Sequence, residues 1–160
     1  VYNVNKNGKL SLGEEFSLHF HKKYSFRTMR WSYVAGKMRL ITETQSDHVA
    51  QVWDVDDIER WVASGAVPRH VFIPVEPKLV CVLKGHTDDI YAACFSGDGA
   101  LVATASVDGS VKVWNAQTGR LLRTLKVTIA SRTGMSLAFH PRDSSMLVCV
   151  TPDEFAVWTP

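Results

Sequence analysis

Residues 79–127 constrain this chain more than any other stretch. They hold four short β-rich runs, Leu79–Leu83, Ile90–Phe95, Leu101–Ser106 and Val111–Trp114, and a fifth, Leu121–Val127. Between the runs stand Gly85-His86, Gly97-Asp98-Gly99, Asp108-Gly109 and Thr118-Gly119. β-branched and aromatic residues fill the runs, and Gly, Asp and Ser fill the gaps, which is the pattern of antiparallel strands joined by tight turns. Asp108-Gly109 is the strongest turn signal, because it offers the positive-φ positions that a two-residue hairpin loop requires.

The ending of this segment recurs. Val1-Tyr2-Asn3-Val4, Val52-Trp53-Asp54-Val55, Val113-Trp114-Asn115-Ala116 and Val157-Trp158-Thr159-Pro160 align, with aromatic positions 51, 61 and 44 residues apart. The Gly85-His86 pair, the Asp108 turn and Val113-Trp114-Asn115, with 28 positions from His86 to Trp114, resemble a WD40 repeat. Trp-Asn stands here in place of the usual Trp-Asp. The resemblance implies an all-β chain made of WD40-type β-propeller blades. A blade of that family takes about 40–45 residues, so the last interval fits and the first two contain insertions.

Taken in order, residues 1–20 end a preceding blade, with Leu10–Phe20 as its outer strand. Residues 21–84 form a blade with strands at Phe26–Trp31, Met38–Thr44 and Val49–Trp53 and an inserted loop at 56–78. Residues 85–127 are the best-matching blade, and 128–160 a blade lacking its outer strand, with strands at Met135–Phe139, Met146–Thr151 and Glu154–Trp158. In the insertion, acidic residues lead Ile58, Trp61 and Val62, which suits one or two helical turns stopped at Gly65. Pro68, Pro74 and Pro77 keep the remainder extended. The count is about three and a half blades. An open stack of blades exposes apolar faces at both ends, so the chain is expected to belong to a larger ring or to be completed by another chain.

Bulk properties narrow the function classes. The chain has 160 residues and a formal charge of +2, too small to argue by itself for nucleic acid. No apolar run reaches membrane-spanning length. Cys81, Cys94 and Cys149 are odd in number and each lies in an apolar run, so they read as reduced, buried thiols of an intracellular protein.

His86, Ser106 and Asp108 contain the residue types of a hydrolase triad, but no Gly-x-Ser-x-Gly surrounds Ser106. The resemblance implies a different role: His86, Ser106, Asp108 and Trp114 match a buried hydrogen-bonded tetrad that locks a blade. In the blade before it, Asp47 keeps the six-residue offset to Trp53, but Gln45 stands where Ser106 would be. Residues 3–14 imitate a calcium loop through Asn3, Asn5, Asn7, Ser11 and Glu14, with Gly8 at the turn. Glu14 is the only carboxylate among those ligands, and a hairpin turn accounts for the segment more simply. His19, His21, Lys22, Lys23, Arg27 and Arg30 interleave with Phe16, Phe20, Tyr24 and Phe26, a pattern shared by edge strands and by RNA-binding surfaces. No motif calls for a metal, a cofactor or a catalytic group.

The expected function is a non-catalytic scaffold that docks other proteins or peptides on one rim. The rim would be formed by Lys22, Lys23, Tyr24, Asp47, His48, Thr87, Asp88, Asp89, Arg132 and Asp153. Two alternatives are a ubiquitin-ligase substrate receptor and an RNA-contacting propeller. The receptor would want Arg where Asp56 stands in Trp53-Asp54-Val55-Asp56. A further resemblance, to the enhancer-of-mRNA-decapping (Varicose-like) scaffolds, rests on residues 48–56, 82–86 and 97–114, with the turn at 7–9 and Arg30-Trp31 in similar places. It implies a cytoplasmic protein of mRNA-decay granules that binds decapping factors and RNA.

Overall fold

Alternating apolar residues in short runs, cut by turn residues, build antiparallel sheets. The computed structural model describes residues 2–4, 10–12, 26–34, 37–44, 47–55, 77–128 and 134–159. Among them every regular element is a strand. β1 (Tyr2–Val4) and β2 (Leu10–Leu12) pair as a hairpin, with Asn3 opposite Ser11. The first sheet is β3 (Phe26–Val34), β4 (Lys37–Thr44), β5 (Val49–Asp54) and β6 (Lys78–Lys84), each beside the next. The second is β7 (Ile90–Phe95), β8 (Leu101–Ser106), β9 (Ser110–Asn115) and β10 (Leu121–Lys126). The third has three strands, β11 (Ser136–His140), β12 (Asp143–Val150) and β13 (Phe155–Trp158).

The three sheets stack face to face, with β3 and β4 against β7, and β11 against β7 and β8. Because strand side chains alternate between faces, each middle strand supplies both seams. Ile41, Ala50, Val52 and Leu83 of the first sheet meet Ile90, Ala93, Val102 and Trp114 of the second. Ala103, Ala105, Val111 and Val113, the other face of the second sheet, meet Leu147 and Cys149 of the third. Strands buried on both sides read as nearly unbroken apolar runs, and in Leu101–Ser106 the two polar residues, Thr104 and Ser106, are small hydroxyls buried on one face.

The hairpin at 106–110 departs from the expected two-residue loop. Ser106 pairs with Ser110, so three residues form the loop, and only Gly109 has positive φ (78°). A three-residue loop with one left-handed glycine satisfies the strand twist without placing Asp108 in that region. The third sheet begins β12 at Asp143, three residues before the expected start of that strand at Met146. The expected helical turns at 56–62, the loop residues 5–9 with Glu14, Gln45, and the rim residues Lys22, Lys23, Tyr24 and Arg132 lie outside the described residues.

Candidate functional site

β8, β9, the loop between them and the loop before β7 bring together the polar groups of five side chains, His86, Thr104, Asp108, Ser110 and Trp114, at the seam between the first and second sheets. His86 Nδ1 lies 2.7 Å from Asp108 Oδ2, and His86 Nε2 lies 2.8 Å from Thr104 Oγ1. The Trp114 indole N–H donates to the same Thr104 oxygen at 2.8 Å. Ser110 Oγ donates to Asp108 Oδ1 at 2.6 Å, and the Thr87 and Ser110 amides also donate to that carboxylate. One proton arrangement satisfies them all: Trp114 N–H to Thr104, Thr104 O–H to Nε2, and Nδ1–H to Asp108. It requires a neutral imidazole. Burial pushes the His86 pKa down, and this outweighs the upward pull of the Asp108 hydrogen bond. Burial pushes the Asp108 carboxyl up, but hydrogen bonds from Ser110, His86 and the Thr87 amide leave it below its usual range.

The hydroxyl in this chain is Thr104, not Ser106. In the observed register Trp114 sits opposite Val102, so the next residue on the same face of β8 is Thr104. Ser106 is one pleat further, at the loop. Its Oγ donates to Asp88 O at 2.9 Å and accepts from the Asp108 amide at 3.1 Å. Counting strand pairs back from the three-residue loop would have found Thr104. The same count in the first sheet places Thr42 two residues beyond the Trp53 partner Leu40. There the Trp53 N–H donates to Thr42 Oγ1 at 2.8 Å. In the third sheet Trp158 faces Leu147, and the equivalent position is Cys149. Gly85 explains the Gly-His pair: a Cβ there would lie 3.2 Å from the Trp114 ring.

Above this network the loops at one end of the sheets converge. His48, held at φ 52°, brings Nδ1 to 3.2 Å from Asp89 Oδ1, close enough for an ion pair but not aligned for a hydrogen bond. A ring nitrogen of His48 and one oxygen each from Asp88 and Asp89 lie within 4.8 Å of one another, a three-ligand arrangement of the kind that holds a cation. Thr87 and Asp47 are exposed beside them, and Asp153 is exposed on the third sheet. The rim that is described is therefore acidic, with one imidazole.

The hydrolase constellation is not assembled. Both His86 nitrogens are engaged elsewhere, its side chain is fully buried, and Ser106 is bound to a main-chain carbonyl. The three cysteines are free; Cys149 is buried, while Cys81 and Cys94 are half-buried and not fully so as expected. Burial pushes the Cys94 thiol up to about 12 and the Cys149 thiol up to about 11, which suppresses the reactive thiolate.

Residues 77–115 match the family described as WD domain, G-beta repeat. The chain is 28% identical over 120 residues to "Protein tipD" of Dictyostelium discoideum, covering 74% of this chain and 19% of that protein. It is 28% identical over 109 residues to "Probable cytosolic iron-sulfur protein assembly protein 1" of Candida glabrata, covering 68% of this chain and 28% of that one. The chain thus spans between about a fifth and under a third of these relatives. Among solved structures it resembles the Cps50 (Swd1) β-propeller domain of Myceliophteria thermophila, with TM-score 0.63 and 18% identity over 84% of this chain and 40% of that one. Residues 77–115 therefore carry a WD40 repeat, and the chain has the β-propeller fold, with its sheets as successive blades.

Proposed function

We propose that this chain is a non-catalytic scaffold whose rim loops dock other proteins. The observation that carries this reading is the convergence of His48, Asp88 and Asp89, from two adjacent blades, over a network that spends every polar group of His86 on cohesion. Loops fixed by a rigid support present side chains at low entropic cost, and an acidic rim favours partners with basic side chains. The rest of a larger propeller, from the same chain or a partner, completes the ring. The finer setting we propose is cytoplasmic mRNA decapping, supported by the resemblance of residues 48–56, 82–86 and 97–114 to decapping scaffolds. RNA contact through the basic stretch around Lys22 and Lys23 is part of that setting.

The test compares proteins captured from cytoplasmic extract by the wild-type chain and by Asp88→Asn/Asp89→Asn. The scaffold reading expects specific partners that are lost in the variant while Tm is unchanged. Decapping factors among them support the finer setting, and their absence from a specific set of partners removes it. Labelling of Ser106 by a serine-reactive probe in the folded protein would refute the non-catalytic assignment.

A further inference from the structure

At the rim, the seam between the first and second sheets ends in one imidazole and two carboxylates held by different sheets. His48 stands immediately before β5, and Asp88 and Asp89 immediately before β7. Each is thus anchored at a strand end. The carboxylate loop is also held from beneath. The Asp88 main-chain oxygen accepts from Ser106 Oγ at 2.9 Å, and the Asp89 oxygen accepts from the Val107 amide at 3.0 Å. The Asp89 amide donates to Asp88 Oδ1 at 2.8 Å. These bonds set the carboxylates in place on a rigid support, as a preformed ligand set requires.

The imidazole supplies a separate observation. His48 Nδ1 is sealed from solvent and makes no hydrogen bond. Such an atom needs an explanation, because it has lost water without gaining a partner. It lies 3.2 Å from Asp89 Oδ1, off the line a hydrogen bond would need. Two donors bound to one ion at about 2.1 Å, with an angle of about 100° between them, stand about 3.2 Å apart. The spacing therefore suits an ion seated against both atoms. Asp88 supplies a third donor within 4.8 Å of the other two. Two carboxylates balance a divalent charge, and the nitrogen narrows the choice of metal. Ca²⁺ takes six to eight oxygens and Mg²⁺ an octahedron of oxygens, whereas one imidazole with carboxylates suits Zn²⁺.

We propose that His48, Asp88 and Asp89 bind one divalent cation of the zinc class, which clips the first sheet to the second at the rim. The ion takes up the buried Nδ1 lone pair and ties the loop before β5 to the loop before β7. Three protein donors leave a fourth position of a tetrahedral ion open to water or to a donor from a docked protein. Cation binding goes beyond the docking of partners at this rim and does not depend on it, so the chain without partners tests it.

The test is calorimetric titration of the full chain with Zn²⁺ and, for contrast, with Ca²⁺. Expected are one-to-one binding of Zn²⁺ and much weaker binding of Ca²⁺. His48→Asn removes the imidazole but keeps a residue that accepts the left-handed backbone at φ 52°. Asp89→Asn removes one negative charge. Each should weaken Zn²⁺ binding roughly tenfold or more, no less than the usual loss of a group that only orients a ligand. His140→Ala, on the third sheet and outside the cluster, should leave it unchanged. Hydrogen exchange gives a second readout: Zn²⁺ should slow the Val49 and Ile90 amides together, because the ion ties the residues before them. Absence of one-to-one binding, Zn²⁺ binding that survives both rim substitutions, Ca²⁺ bound as tightly, or protection confined to one sheet overturns the site. If Zn²⁺ fails to bind while the wild-type chain still captures partners, the cation is lost and the docking rim stands.

Discussion

The second and third sheets share a strand pattern and differ in how they are held. On the second, Val113, Val111 and Ala105 are 7%, 0% and 0% exposed, because the third sheet covers them. Their counterparts on the third, Val157, Phe155 and Val150, are 47%, 68% and 41% exposed. Trp114 is 1% exposed and hydrogen-bonded through Thr104 to His86, whereas Trp158 is half-buried with Cys149 in place of the hydroxyl. Tryptophan spacing marks the repeat in sequence, but cohesion comes from the hydroxyl, the imidazole and the neighbouring sheet. A blade motif can therefore be present while its lock is absent.

The largest expected effect comes from removing the tryptophans. Trp114→Ala should destabilise by about 3–5 kcal/mol, the usual cost of emptying a fully buried aromatic site. Trp158→Ala should cost less than half as much, because solvent already reaches its ring. Urea denaturation of both variants checks this, and equal losses would erase the distinction between the sheets. Next are the hydroxyls. Thr104→Val strands the Trp114 N–H and His86 Nε2 together, at about 1–3 kcal/mol for each buried group. Ser106→Ala should cost about 1 kcal/mol, as expected for ordinary hydrogen bonds at a loop. Reversal of that order would restore Ser106 to the network. Cys149→Thr supplies the missing acceptor to Trp158, and slower exchange of the β12 and β13 amides is the expected gain.

A smaller effect follows acidity. The folded His86 pKa lies below its ordinary value of 6.5, so the unfolded chain takes up the proton first. The stability due to neutral His86 is fully present above about pH 6.5 and is lost as pH falls from there through the folded pKa. The Asp108 pKa is also lowered, so its share disappears only below its ordinary value of 3.8. Tm measured from pH 8 to pH 5 should be flat and then fall in wild type, with the fall reduced in His86→Ala. An unchanged fall would move the acid sensitivity away from this seam.

Much of this was legible in the chain itself. Turn signals at 97–99 and 118–119 marked strand ends because Gly and Asp serve few other purposes between β-branched runs. The open apolar faces followed from counting strands. The identity of the bridging hydroxyl was not legible from spacing alone, because one residue in a loop shifts every cross-strand neighbour. Thr42 lies eleven residues before Trp53, and Thr104 ten before Trp114, yet both occupy the same place in the ladder. His48 and Asp89 were expected on one rim, but their direct contact was hidden, since it depends on a left-handed His48 that no local signal announces.

The smallest expected effect tests the open face directly. Phe155→Thr removes a ring that is 68% exposed and puts a β-branched residue of good strand propensity in its place, so stability should change by no more than about 0.5 kcal/mol. Val111→Thr makes the equivalent change where the side chain is fully buried, and burying a hydroxyl in that apolar seam should cost about 1–3 kcal/mol. Thermal unfolding of the two variants side by side measures the cover that the third sheet gives the second. If Phe155→Thr proves as costly as Val111→Thr, the outer face of β13 is packed in solution, and the two sheets are alike in burial as well as in pattern.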